Sequence, residues 1–508
     1  KSFDNCLDNM IDCGISWNWY LVCPLPVWTC ECGNKCVVGS IDELQDLVIE
    51  DVDVRKMELH RPYVDELHVK CDKCGKSMDR VKDVLDVWFD SGAMPYAQYH
   101  YPFENKELFE SQFPADFIAE GLDQTRGWFY VLLVISTIIS GKSSFKNVVV
   151  NDMVLDGFGK KMSKSTGNIV DPIKELDEYG ADIVRWYMLS VSPVWTPLKY
   201  DSKGCREVNS KFFNPFKNTY TFFQTYANID GIDTEKCYVS YENREEIDKW
   251  LLSKYNKLVK NVTDAYEAYD LNQVVKQITS FVSEDLSNWY IRRNRNRFWS
   301  SELDNSKKSV YITTYEVLIG LCGLCAPVIP YITEEIYKNL TGEKSVHLSD
   351  FPKYDENLIN EEIEVKMDLV RDLISTGRYV REETKIKVRQ PLSEALIDGK
   401  YESILGNLVT LINEELNVKK VTFVDDLSKY MNFTIKPNFK VCGSMFGSKM
   451  GLYSETLKSL SLDDEEALLK EETITVDFDG ERLDITPEMV DVRIDSKEGF
   501  NVGMENNK

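Results

Sequence analysis

The sequence predicts a multidomain protein, α/β over residues 1–205, all-α over 206–350, and a helix followed by a small α+β region over 351–508. Three observations carry this. Short apolar runs such as Lys146-Asn147-Val148-Val149-Val150 alternate with helical patterns up to about residue 205. Phe212, Phe213, Phe216, Tyr220 and Phe223 then recur at spacings that fall on one broad helical face, the mark of a bundle. Finally, Ile474, Val476 and Phe478 alternate before Asp479-Gly480, and Leu483 and Ile485 resume the alternation, which predicts a hairpin.

Individual elements follow from local chemistry. Asp171 and Pro172 form an N-cap and first-turn pair for a helix that Gly180 ends, and a second helix starts near Ala181. Pro327 and Pro330 break the helical region before another helix over 333–340. Cys322 and Cys325 lie inside an apolar run and read as a buried helix face rather than a ligand pair.

Composition limits the functions. The chain has 508 residues, 43% hydrophobic and 28% charged, which is a folded rather than a disordered profile. Its net charge of −24 argues against coating nucleic acid or anionic membranes non-specifically, while leaving room for local basic patches. The run from Trp128 to Ile139 is shorter than the roughly 18 residues of a membrane span, so none is expected. Lys1 to Asn5 has no signal-peptide character, and the chain reads as part of a longer one. Thirteen cysteines, odd in number and unevenly clustered, suggest reduced thiols with some metal ligation and a cytosolic setting.

Three strings carry chemistry. In the loop over 157–168, Lys161-Met162-Ser163-Lys164-Ser165 is flanked by Gly157, Gly159 and Gly167. Two ammonium groups on such a loop can clamp a triphosphate as charge develops on it, with Ser163 between them; alone, the pentamer reads first as a solvated lysine loop, and the strings upstream reverse that. Upstream, Glu120-Gly121-Leu122-Asp123-Gln124 offers acceptors and an amide suited to an amino group and ribose hydroxyls, or a helix start with first-turn acids. The third string, Asp86 to Gly92, includes Trp88 and Asp90 and would ordinarily be a strand end and turn.

Cys30, Cys32 and Cys36 precede Cys71-Asp72-Lys73-Cys74, and four thiolates from these two groups would make a closed tetrahedral zinc site within a Cys-rich insertion at about 28–86. Unliganded thiols are the other reading. Arg292, Arg293, Arg295 and Arg297, interleaved with aromatics, form a candidate RNA-binding patch. A second is the stripe Arg371, Arg378, Arg381 and Lys385, which could also be a solvated face.

Taken in this order, the three strings resemble the C-terminal part of the class I aminoacyl-tRNA synthetases, and Asp123 to Phe129 has the wording of the isoleucyl family. The wording at Trp88 to Gln98 resembles its eukaryotic-type branch. The resemblance implies the second half of a Rossmann-type catalytic domain, a helix-bundle anticodon-binding domain and a truncated α+β appendage. It implies activation of isoleucine by ATP with Mg2+ to isoleucyl-adenylate, transfer to tRNA(Ile), and a monomer. It carries over Glu120, Gly121, Asp123 and Gln124, with Trp88 and Asp90, as adenylate contacts, and Lys161, Ser163 and Lys164 as the catalytic loop. Lys164 is the ATP-phosphate ligand. Zinc is common in the family near the cysteine insertion.

A valyl or leucyl relative and a catalytically incomplete tRNA-binding fragment are the alternatives. The four histidines form no HIGH-type motif, and the inserted editing domain is missing apart from a tail in the first residues, so the isolated fragment is expected to be inactive. The family normally has arginines where Trp17 and Trp19 stand, tryptophan at Leu21 and glycine at Val22.

Overall fold

The computed structural model describes Asp8 and residues 14–234, 236–469, 472–497 and 500–502. The expected editing-domain tail and most of the closing segment 501–508 lie outside them. The chain divides into two compact units, one of residues 1–218, 261–283 and 322–350, the other of 219–260, 284–321 and 351–508.

In the first unit, β1 (Val27–Thr29), β2 (Lys35–Val37), β3 (Val69–Lys70) and β4 (Ser77–Arg80) form an antiparallel sheet in the order β2-β1-β4-β3. Helix α1 (Ile41–Leu47) accompanies it, and Trp28, Leu44, Val54, Leu67 and Met78 fill a core of its own. Helix α2 (Val87–Ala97) is capped by Asp86, which accepts from the Trp88 N–H at 2.8 Å. Strand β5 (Ala115–Gly121), helix α3 (Trp128–Ser140) and strand β6 (Phe145–Asn151) make a βαβ unit in which the strands pair in parallel. The short strand β7 (Val154–Leu155) pairs in parallel with β8 (Leu198–Lys199). Between these two lie α4 (Pro172–Tyr179), capped by Asp171 and ended at Gly180, and α5 (Ala181–Val191).

The helical segments 261–283 and 322–350 belong to this unit, and α5 shows why a cut at residue 205 does not coincide with its boundary. The Trp186 indole donates to Thr279 Oγ1 at 3.1 Å, Arg185 Nε to the Val328 carbonyl at 2.6 Å, and Asp182 accepts from the Ile332 N–H at 2.8 Å. Trp186 also stacks on Phe212 with ring centroids 4.1 Å apart. Phe212, Phe213, Phe216 and Phe223 are all buried, as their spacing predicts.

The long helices run in order as α6 (Asn214–Asp230), α7 (Glu246–Glu267), α8 (Leu271–Ser280), a π-helical stretch Phe281–Ile291, α9 (Arg292–Trp299), α10 (Asn305–Cys325), α11 (Pro330–Thr341) and α12 (Glu361–Glu383). Pro330 starts α11, and Cys322 and Cys325 are buried on α10. No helix among the described residues is long and apolar enough to cross a membrane.

The second unit is organised around a buried charge. Asp248 is fully enclosed and accepts from both terminal nitrogens of Arg297 at 2.8 Å, from Tyr290 Oη at 2.6 Å and from Ser309 Oγ at 2.5 Å. Removing one partner of such a pair strands the other charge in low dielectric. Asp248→Ala is therefore expected to cost about 3–5 kcal/mol in denaturant unfolding. Beyond α12, parallel strands β9 (Ala395–Asp398) and β10 (Val421–Val424) flank α13 (Val409–Leu416). Strand β11 (Met431–Pro437) follows, and then the expected hairpin, β12 (Ile474–Phe478) and β13 (Glu481–Ile485), turns through Asp479 and Gly480, both at positive φ. Strand β14 (Val490–Ser496) pairs antiparallel with β11.

The segment that departs from the family wording has a definite structure over its described residues, 14–23. Trp17 and Trp19 stack at 5.9 Å, the Trp17 indole donates to Asp86 Oδ2 at 2.5 Å, and Arg61 donates to the Trp19 carbonyl at 2.6 Å. Val22 adopts φ +102°, which a β-branched residue takes only under strain. Val22→Gly is expected to stabilise the protein by about 1–2 kcal/mol, measured as a rise in unfolding free energy.

Candidate functional site

The C-terminal ends of parallel strands are where open α/β sheets bind ligands. Glu120 and Gly121 end β5, opposite Val150 and Asn151 of β6. The chain then makes a tight turn, Leu122–Arg126, before α3. Gln124 shapes it by accepting from the Trp128 N–H at 3.0 Å while donating to Asp123 Oδ2 at 3.0 Å. Glu120 and Asp123 stay exposed, so their carboxylates are available to a ligand.

Two glycines make this geometry possible. A Cβ on Gly121 would lie 2.7 Å from Asp123 Oδ1, and one on Gly127 would lie 3.1 Å from the Trp88 ring. Trp88 therefore sits against the backbone just after the turn, which brings the string at Asp86–Gly92 together with that at Glu120–Gln124. Likewise a Cβ on Gly92 would meet Ile135 at 2.8 Å, so α2 and α3 pack closely there. Asp90 faces a different neighbour, Cys23, whose thiol is raised by burial and then by the Asp90 carboxylate.

The loop after β7 is held shut from within. Asp156 accepts from the backbone N–H of Phe158 at 3.0 Å and of Lys160 at 2.8 Å, and from the Asn168 amide at 2.8 Å. These donors, the Asn168 amide foremost, hold the Asp156 carboxyl below its usual range. Asn168 also accepts from the Ser163 N–H at 3.0 Å, and Ser163 Oγ lies 2.8 Å from Thr166 Oγ1. Ser163 thus braces the loop. Lys161 and Lys164 are exposed and, among the described residues, neither forms an ion pair, so two ammonium charges remain for an anion. Asp156 was not singled out from sequence, although Asp followed by Gly157 is a turn signal.

The cysteines resolve into a set of four. The Sγ atoms of Cys30, Cys32, Cys71 and Cys74 all lie within 4.8 Å of one another, with Cys30 to Cys74 at 3.4 Å and Cys32 to Cys71 at 3.7 Å. Zinc–sulfur bonds of about 2.3 Å in a tetrahedron put sulfurs about 3.8 Å apart, so the donors fit zinc. Two similar knuckles build the set: Gly33 and Gly75 turn at φ +83° and +75°, and the Gly33 and Gly75 N–H groups bond back to the carbonyls of Cys30 and Cys71. Burial pushes the Cys71 thiol up, but the backbone N–H groups of Cys74 and Lys73 and the Asn34 amide outweigh it and bring it down to about 6. Cys36 is corrected out of the set. It lies in β2 opposite Trp28, so the sheet ladder, not the cluster, fixes its place.

The arginine candidates are corrected in part. Arg297 is the clamp on buried Asp248, and Arg381, only 4% exposed, donates to the carbonyls of Lys387, Gln390, Leu416 and Asn417. Neither is presented to RNA. Helix α12 ends at Glu383 and Lys385 turns to φ +58°, so the stripe does not reach it. Arg292, Arg293 and Arg378 converge on Glu415, a carboxylate 122 positions from Arg293 that no sequence signal marks. Arg295 is exposed and, among the described residues, forms no ion pair.

Comparison with known proteins agrees with this geometry. The model of class I tRNA synthetases (I, L, M and V) matches residues 1–201, and that of the anticodon-binding domain of tRNA ligases matches 248–396. The chain is 44% identical to the isoleucine-tRNA ligase of Clostridium acetobutylicum over 98% of its own length and 48% of the relative's. It is 41% identical to that of Cytophaga hutchinsonii over 99% of the chain and 47% of the relative. It thus spans about half the length of the relatives it matches. Among solved structures, a LeuRS of Agrobacterium radiobacter K84, in ternary complex with tRNA and LeuAMS, aligns over 68% of this chain and 42% of its own, with TM-score 0.52 and 22% identity, a likeness of fold. The chain belongs to the class I aminoacyl-tRNA synthetases, within the isoleucyl family.

Proposed function

We propose that this chain, within a protein about twice its length, supplies one half of a site that activates isoleucine with ATP and passes it to tRNA(Ile). The observation that carries the reading is that one compact unit holds both Glu120 to Gly127, at the end of parallel strands, and a braced loop whose Lys161 and Lys164 form no ion pair among the described residues.

In the first step the isoleucine carboxylate attacks the α-phosphorus of ATP, forming the mixed anhydride and releasing pyrophosphate. Glu120 is placed to accept from the substrate ammonium, and Asp123 and Gln124 offer partners for ribose hydroxyls. Lys164, with Lys161 beside it, neutralises charge that builds on the leaving phosphates, which is catalysis by positioning and electrostatics. Magnesium bound with ATP would add to this neutralisation. In the second step a terminal ribose hydroxyl of the tRNA attacks the acyl carbon and AMP leaves. Cys30, Cys32, Cys71 and Cys74 would hold a structural zinc that ties two loops of the insertion together.

The test is ATP–pyrophosphate exchange by the complete protein with isoleucine, valine and leucine in turn. Isoleucine is expected to give the highest kcat/KM; valine or leucine ahead of it overturns the assignment. A methylene difference is worth only about 1–3 kcal/mol, for which isoleucyl-tRNA synthetase is itself the standard illustration, so slower exchange with valine is compatible.

A further inference from the structure

The parallel pair β7 and β8 ends on a lysine that lies outside the Lys161–Ser165 string. Lys199, the last residue of β8, pairs with Leu155, and on its other side Leu155 bridges to Lys161 in an antiparallel contact. Residues paired directly across strands point to the same face of the sheet. Lys199 and Lys161 therefore project from one face on either side of Leu155, two strand spacings or about 10 Å apart at the backbone. Leu155 and Lys199 are also the C-terminal ends of parallel strands, the end at which such sheets bind ligands.

Its neighbours pin Lys199 in place. Leu198 and Tyr200 are buried while Lys199 between them is exposed. The Leu198 N–H donates to the Met153 carbonyl at 3.0 Å, and the Tyr200 N–H to the Leu155 carbonyl at 2.9 Å. Tyr200 Oη in turn donates to Glu175 Oε2 of α4 at 2.8 Å. The Lys199 side chain then crosses the base of the loop, for a Cβ on Gly159 would lie 3.1 Å from its Cε and 3.7 Å from its Nζ. Two carboxylates at that base are committed elsewhere, Asp156 to the N–H groups of Phe158 and Lys160, and Asp201 to the N–H of Lys203 at 2.9 Å. Among the described residues Lys199 forms no ion pair.

We propose that Lys199 is a further phosphate-binding residue of the same site, a third ammonium that meets the terminal phosphates of ATP alongside Lys161 and Lys164. What each lysine contributes follows from what carries it. Lys161 and Lys164 ride on a loop, whereas Lys199 ends a strand pinned by buried neighbours. A charge that stays in place meets the phosphates alike before and during the transfer, so it strengthens ATP binding rather than speeding the step. The proposal rests on reading the chain as one half of a site that activates isoleucine with ATP.

The test is isoleucine-dependent ATP–pyrophosphate exchange by the complete protein, as wild type and as Lys199→Met or Lys199→Arg. Methionine keeps an unbranched stem over Gly159 and removes the charge, and arginine keeps the charge. Lys199→Met is expected to raise the KM for ATP about tenfold, the scale of one charge-assisted hydrogen bond, with kcat within about twofold. Inhibition by tripolyphosphate should weaken by the same factor, and inhibition by AMP, which lacks the terminal phosphates, should not change. Lys199→Arg should recover most of the loss. A wild-type KM in Lys199→Met overturns the proposal. So does an equal loss in Lys199→Arg, or an equal weakening of AMP, because either would mark a packing role for the stem. Absent wild-type exchange overturns the functional reading instead, and calorimetric binding of tripolyphosphate to wild type and Lys199→Met then decides whether Lys199 holds phosphate.

Discussion

Replacing Lys164 with alanine in the complete protein is expected to slow isoleucyl-adenylate formation by about a hundredfold to a thousandfold, the usual effect of removing one preorganised charge from a transition state. The loss should fall on kcat rather than on the KM for isoleucine, because the ammonium meets charge that develops only as pyrophosphate departs. The structure supports so large an effect. Lys164 is not tied down by any described carboxylate, while Asp156, Ser163 and Asn168 hold the loop that carries it. Rapid-quench measurement of adenylate is the check, and a loss below about fivefold would remove Lys164 from the transition state.

The second large effect concerns the cysteines. Cys71→Ser is expected to abolish stoichiometric zinc, read by elemental analysis, and to unfold the insertion at lower denaturant than the rest. Structural zinc contributes its binding free energy directly to folding, about 10–16 kcal/mol in isolated finger peptides. Cys36→Ser should leave the zinc content intact, because Cys36 belongs to the β1–β2 ladder. Equal loss in both variants would show that the four-thiol set is wrongly chosen.

Much of the fold is legible locally. Asp171, Pro172 and Gly180 bound α4 because capping and positive φ are short-range matters, and Asp479-Gly480 turns the hairpin for the same reason. The aromatic spacing predicts the burial of Phe212, Phe213, Phe216 and Phe223, which recur on one broad side of the helical run, whereas Tyr220 in the same pattern stays half-buried. What is not legible is partnership across the chain. Four cysteines of five make the cluster, and only the sheet register excludes the fifth. Arginines that read as a phosphate patch divide into a clamp on Asp248, a backbone tie through Arg381 and a set gathered by Glu415, since their partners lie tens of residues away. The loop motif was visible by itself, yet the carboxylate that braces it, Asp156, looked like any turn residue.

The central claim is that Glu120 to Gly127 and the Lys161–Lys164 loop belong to a site that makes an aminoacyl-adenylate before tRNA takes part. The most direct test mixes the complete protein, in excess over ATP, with isoleucine in the absence of tRNA and follows pyrophosphate. The account predicts a single-turnover release that requires isoleucine and leaves isoleucyl-adenylate on the protein. Release that ignores isoleucine, or that begins only when tRNA is added, would contradict it.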